Sequence, residues 1–135
     1  MKLASVLIVS LALLVFAAQS EAQANGQGGP AMKVQVTAAD KARIVKLEKE
    51  YNFAKTALAK APKDEKAKKR FVTIGALFGH ESMMSPALDR KVKYRQALRV
   101  YREVLKVDPT NPVAKSDSEM IIKIYKSLGR PVPID

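Results

Sequence analysis

Ile44, Leu47, Tyr51, Ala54, Leu58 and Ala61 recur at steps of three and four residues, which places them on one face of a single helix. Thr37 precedes this stripe with a hydroxyl suited to accept from the N–H groups of the opening turn, and Asp40 adds negative charge there. Pro62 ends the pattern, because proline lacks the N–H that a helix interior requires. A second helix follows a cap near Asp64, with Ala67, Phe71, Ile74 and Phe78 on its apolar face. Gly75 interrupts that face at a cost of about 1 kcal/mol relative to alanine, and the close approach of a neighbouring backbone is the physical reason to accept it.

The pattern predicts a third helix opening at Ser85-Pro86, a cap residue followed by proline at the first helical position. It runs through Val92, Tyr94, Leu98, Tyr101 and Leu105 to Val107. Asp108-Pro109-Thr110-Asn111-Pro112 combines a turn with a new cap, and the fourth helix carries Ile121, Ile124, Tyr125 and Leu128. Gly129 stands where a left-handed helix end is needed, and Pro131 and Pro133 keep the tail of residues 131–135 non-helical. The expected fold class is all-α, with about four helices.

The first residues follow a different pattern. Leu3 to Ala18 form an apolar run broken only by Ser5 and Ser10, after Lys2 and before small and polar residues, as in a secretory signal peptide over residues 1–24. Ala22-x-Ala24 supplies a small-x-small cleavage site, so the mature chain is expected to begin between Glu21 and Asn25. The run falls short of the roughly 20 residues that a spanning helix prefers, which favours cleavage over a membrane anchor at residues 3–18. Residues 25–36, opening with Asn25-Gly-Gln-Gly-Gly-Pro30, have the composition of a flexible linker. The expectation is an exported protein, periplasmic or extracellular, with a helical domain over residues 37–130.

Charge narrows the class of partner. The 135 residues include 24 Lys and Arg against 13 Asp and Glu, a net charge of +11 that loss of residues 1–24 leaves unchanged. Such an excess favours anionic lipid headgroups, acidic wall polymers or nucleic acid. The chain has no cysteine, which removes disulfides, thiolate metal ligands and the lipid-modified cysteine of a bacterial lipoprotein.

The helical stripes also repeat. At an offset of 47 residues, Leu58 aligns with Leu105, Pro62 with Pro109, Ala67 with Ala114, Ile74 with Ile121, Leu77 with Ile124 and Phe78 with Tyr125. Phe71-x-x-Ile74-Gly75-x-x-Phe78, then Tyr94-x-x-Ala97-Leu98-x-x-Tyr101 and Asp108-Pro109, resembles the tetratricopeptide repeat, whose paired helices interlock large and small residues and end each unit at a proline. The resemblance covers Lys41 to Arg130, with one complete unit from Phe71 to Pro109. Two features depart from it: the segment Gly79 to Lys93 exceeds the family's tight inter-helix turn by about ten residues, and Ile122 stands where the last unit should have a small residue. The resemblance implies antiparallel hairpins stacked as a short right-handed superhelix that binds another protein. Its groove would be lined by Lys69, Val72, Ala76, Gly79, Ser116, Glu119 and Lys123. An unrelated four-helix bundle is the competing architecture.

Reaction chemistry is sparse. His80, beside Glu81 and near Ser82 and Ser85, reads as a polar residue at a helix end, since one histidine in a loop supplies no oriented nucleophile or oxyanion donor. No phosphate loop, metal-ligand pair or nucleotide fingerprint is present, so no catalytic, cofactor or metal residue is expected. Met83 and Met84 read as core residues folded over the second and third helices. Lys91, Arg95, Arg99, Arg102 and Lys106 fall on one face of the third helix as a candidate anion-binding row, with Glu103 placed to neutralise Arg99 in part. The leading expectation is a non-catalytic module recognising another protein; the alternative is a basic binder of polyanions or membrane surfaces.

Overall fold

The computed structural model describes residues 35–134; the signal peptide expected over 1–24, and all of the expected linker except Gln35 and Val36, lie outside the described residues. Four helices follow in chain order: α1 (Ala38–Lys60), α2 (Glu65–Met84), α3 (Arg90–Val107) and α4 (Pro112–Ser127). The described chain is all-α, as its apolar periodicity predicts, and none of its helices is long and apolar enough to cross a membrane.

Short polar side chains set every helix start. Thr37 accepts from Asp40 N at 3.1 Å while Asp40 accepts from Thr37 N at 2.8 Å, closing a reciprocal capping box on α1. The Thr37 hydroxyl, donating to Asp40 Oδ2 at 2.7 Å, and then the Thr37 N–H hold the Asp40 carboxyl below the usual carboxylate range. Asp64 caps α2 by accepting from Lys66 N at 2.8 Å, and Asn111 caps α4 by accepting from Ala114 N at 3.0 Å. Pro112 occupies the first turn of α4, where its missing N–H costs nothing. At the far end Gly129 adopts φ 60°, the left-handed conformation that lets Arg130 N reach Tyr125 O at 3.0 Å.

The connection between α2 and α3 corrects the expected helix boundary. Ser85 does not open α3; its N–H donates to Glu81 O at 2.9 Å and completes the last turn of α2. Its extended backbone is the conformation that a following proline enforces, so Pro86 acts as a terminator. Asp89 caps α3 instead, accepting from Lys91 N at 2.8 Å. The apparent insertion over residues 79–93 is therefore largely helical: it contains the end of α2, a connection over 85–89 and the start of α3. The buried stripe of α2 continues from Phe71, Gly75 and Phe78 to Ser82 and Met83, while Met84 faces solvent. Met83 thus belongs to the core as expected, and Met84 does not.

α2 is the central element, packed against α1, α3 and α4, and α3 packs in turn on α4. Tyr101, Phe78, Leu98, Ile121, Val100 and Val104 are the most deeply buried large side chains of the shared core. The Tyr51 ring of α1 sits 5.7 Å from Phe71 and 5.3 Å from Phe78, extending the cluster to the first helix. Gly75 and Gly79 let α3 approach α2 at two successive turns: a Cβ on Gly75 would stand 2.6 Å from Val104 Cγ2, and one on Gly79 would stand 2.5 Å from Tyr101 Cε1. The neighbour at Gly75 is a side chain where a backbone was expected. Val92 and Leu128, assigned to apolar faces by spacing, are exposed, and Ala97, Val100 and Val104 fill the α3 core face.

The two short turns correspond residue for residue. Lys60 and Val107 end helices, Asp64 and Asn111 cap the next, and the turns close with Asp64 N on Ala61 O at 3.0 Å and Asn111 N on Asp108 O at 3.2 Å. The internal repetition in sequence is thus also a repetition of local geometry.

Candidate interaction surfaces

Two surfaces concentrate the chemistry that the fold leaves accessible. The first lies between α2 and α4, where Thr73, Ala76, Leu77 and His80 face Pro112, Val113, Ser116 and Asp117 across a groove of about 610 Å³. Leu77 and Val113 remain 42% and 41% exposed within it, so its lining carries apolar surface in contact with water. A buried acid closes one side. Asp117 Oδ2 accepts from the Tyr101 hydroxyl at 2.7 Å and lies 2.9 Å from His80 Nδ1. Burial, reinforced by the hydrogen bond and negative charge of Asp117, pushes the Tyr101 phenol well above its usual pKa and keeps it protonated as a donor.

His80 consequently lies inside α2, and its Nδ1 engages Asp117. This corrects the reading of a loop residue at a helix end: the capping signal at Ser85-Pro86 obscured a further helical turn and a half. Ser116 lines the same groove, yet among the described residues no hydrogen bond joins its hydroxyl to His80, so nucleophile and base are not coupled. Nor is any group of three or more His, Cys, Asp or Glu side chains placed to hold a metal ion among the described residues.

Of the seven residues expected to line a recognition groove, Ala76 and Ser116 border the cavity between α2 and α4. Lys69, Glu119 and Lys123 are exposed outside its lining, and Val72 packs against the core. Gly79 is buried beneath the Tyr101 ring and faces α3. The spacing argument missed Val113 and Asp117. Leu77 had a signal of its own, because it aligns with Ile124 as an apolar repeat position, and it points into the groove.

The second surface is the basic row of α3. The fold presents Lys91, Arg95, Arg99 and Lys106 to solvent, with Arg102 half-buried beside them. The C-terminal tail borders this row at two open clefts. Lys91 and Arg95 share one of about 620 Å³ with Tyr125 and residues 130–134; Arg99, Arg102 and Lys106 share another of about 570 Å³ with Glu103, Leu105 and Ile134.

Glu103 feels the charge of Arg99, as its spacing suggested, but forms its direct contacts with other partners. It turns toward α1, accepting from the Tyr51 hydroxyl at 2.6 Å and lying 2.6 Å from Lys55 Nζ. Burial opposes the charged form of Glu103, but the hydrogen bonds from Lys55 and Tyr51 and the charges of Lys55 and Arg99 outweigh it and hold the carboxyl below its usual range. Burial also raises the Tyr51 phenol, with the Glu103 hydrogen bond and charge adding to the effect. Glu103 is therefore a clasp between α1 and α3, and the cationic row keeps most of its charge.

No protein-family model, curated protein or solved structure matches this chain.

Proposed function

We propose that the chain is an exported, non-catalytic module that recognises another protein through the groove between α2 and α4. The observation that carries this reading is the pairing of exposed Leu77 and Val113 across one groove, bordered by the fixed polar groups of His80 and Asp117. An apolar floor with a few positioned polar groups is the composition that gives a binding site both affinity and orientation. The matched turns and the 47-residue offset support a helical-repeat architecture of the tetratricopeptide kind, in which α2 and α4 are inner helices of successive units. Export rests on the apolar run and A-x-A pattern of residues 1–24.

Site-specific photo-crosslinking in the producing cells tests the reading. A photoreactive residue at Leu77 should give one discrete protein adduct that Val113→Asp abolishes, while the same residue at Phe53, exposed on α1, should not. Identical adducts at both positions, or no adduct at Leu77, would exclude the groove as the recognition surface. Intact-mass measurement of the secreted protein should place its first residue between Glu21 and Asn25; recovery of the full-length chain in membranes would contradict export by cleavage.

A further inference from the structure

The cations of α3 form a line. Their steps of four, four, three and four residues bring Lys91, Arg95, Arg99, Arg102 and Lys106 onto one face, about 5–6 Å apart along the axis and about 22 Å from end to end. Among the described residues, Lys91, Arg95, Arg99 and Lys106 form no ion pair. The neighbouring acids already have partners: Glu103 borders the cleft of Arg99, Arg102 and Lys106 but is held by Tyr51 and Lys55, and Asp89 caps α3. Like charges this close repel one another, and a partner carrying the opposite charge in the same spacing relieves the repulsion.

The row lies beside the tail, so that the surface is a trough. Ile134, 94% exposed, borders both clefts and sets apolar surface next to the charges. We propose that this trough binds an extended acidic peptide segment of a partner protein, with carboxylates at alternate residues facing the α3 row and one flank against the tail. In an extended chain, alternate side chains point the same way and stand about 6.6 Å apart, which matches the helical step of about 6 Å between Lys91, Arg95 and Arg99. Single-stranded nucleic acid would call for aromatic platforms on which bases stack, and Tyr125 is the one aromatic residue bordering these two clefts. A bilayer is planar, whereas these charges lie along a channel beside the tail. This surface is separate from the α2–α4 groove and does not depend on its reading.

Fluorescence anisotropy with the purified protein tests the assignment at physiological salt. The probes are a labelled peptide of alternating Glu and Val, a peptide of the same composition with its glutamates in one block, an oligothymidylate, and vesicles of phosphatidylcholine with phosphatidylserine. The variant Arg95→Glu/Lys106→Glu reverses one exposed charge in each cleft, and Lys41→Glu/Lys49→Glu makes the same net change on α1. Circular dichroism establishes that both fold. The alternating peptide should bind tightest, and the α3 variant should lose about tenfold or more in affinity for it, because reversed charges repel the carboxylates they held. The α1 variant should lose less than about threefold, the share that bulk charge alone supplies. Equal losses in the two variants, equal affinity for the alternating and blocked peptides, or tighter row-dependent binding of the oligonucleotide or vesicles would overturn the proposal.

Discussion

Tyr101 donates its hydroxyl proton to Asp117 across 2.7 Å, and both side chains are buried where α3 meets α4. The same carboxylate oxygen lies 2.9 Å from His80 of α2, so one acid ties three helices together. A carboxylate taken out of water is tolerated only while such partners replace its hydration.

Tyr101→Phe keeps the ring and deletes the donor. The expected loss is about 1.5–3 kcal/mol, the range for a hydrogen bond to a charged group. Urea unfolding measures it, and a loss below about 0.5 kcal/mol would mean that water satisfies Asp117 in place of the phenol.

Gly79→Ala places a methyl group 2.5 Å from Tyr101 Cε1, against a ring that is itself completely buried. Alanine favours a helix over glycine by about 1 kcal/mol, but overpacking of a rigid core costs about 1–3 kcal/mol, so net destabilisation is expected. A thermal melt with a raised midpoint would show that the ring yields without strain.

Leu98→Ala should lower stability by about 2–5 kcal/mol, since Leu98 is 1% exposed and truncating it leaves a cavity within the hydrophobic core. Urea unfolding is again the measurement, and a change near zero would contradict the register of α3.

Glu103 gives the acid limb of stability a specific source. Its folded-state pKa lies below the unfolded value, so the unfolded chain binds more protons in acid. The clasp to Lys55 and Tyr51 is therefore fully present above the ordinary glutamate range and is lost as pH falls through the folded pKa. Stability measured from neutral pH downward should decline less steeply in Glu103→Gln than in the wild type. Parallel acid limbs in the two proteins would show that Glu103 contributes nothing to this dependence.

Helix existence and most caps were legible because they depend on nearest neighbours. Thr37, Asp64 and Asn111 act through N–H groups two or three residues away, and Gly129 through its own φ, so local sequence determines them. The end of α2 was not legible, because Ser82 is a polar residue in a core position. It is fully buried, and Gln96 Nε2 donates to its hydroxyl at 3.2 Å. A stripe that includes a serine reads as finished, and Ser85-Pro86 then looks like a beginning. The lining of the α2–α4 cavity was only partly legible: the resemblance places Ala76 and Ser116 on inner helix faces, while the side on which α4 lies is set by packing. The same packing turned Gly79 toward Tyr101 and brought His80 onto Asp117 across 37 residues of chain.

The arrangement of α1 has a consequence for how the molecule opens. Its backbone approaches only α2, and beyond that packing it is tied by Arg43 to Glu81 of α2 and by Tyr51 and Lys55 to Glu103 of α3. An end helix with a single packed neighbour can detach while the three-helix remainder keeps Tyr101, Leu98 and Ile121 covered. Amide exchange in α1 should then run through a partial opening of lower free energy than the global one, and protonating Glu103, which removes one of the ties to α3, should make that opening more frequent.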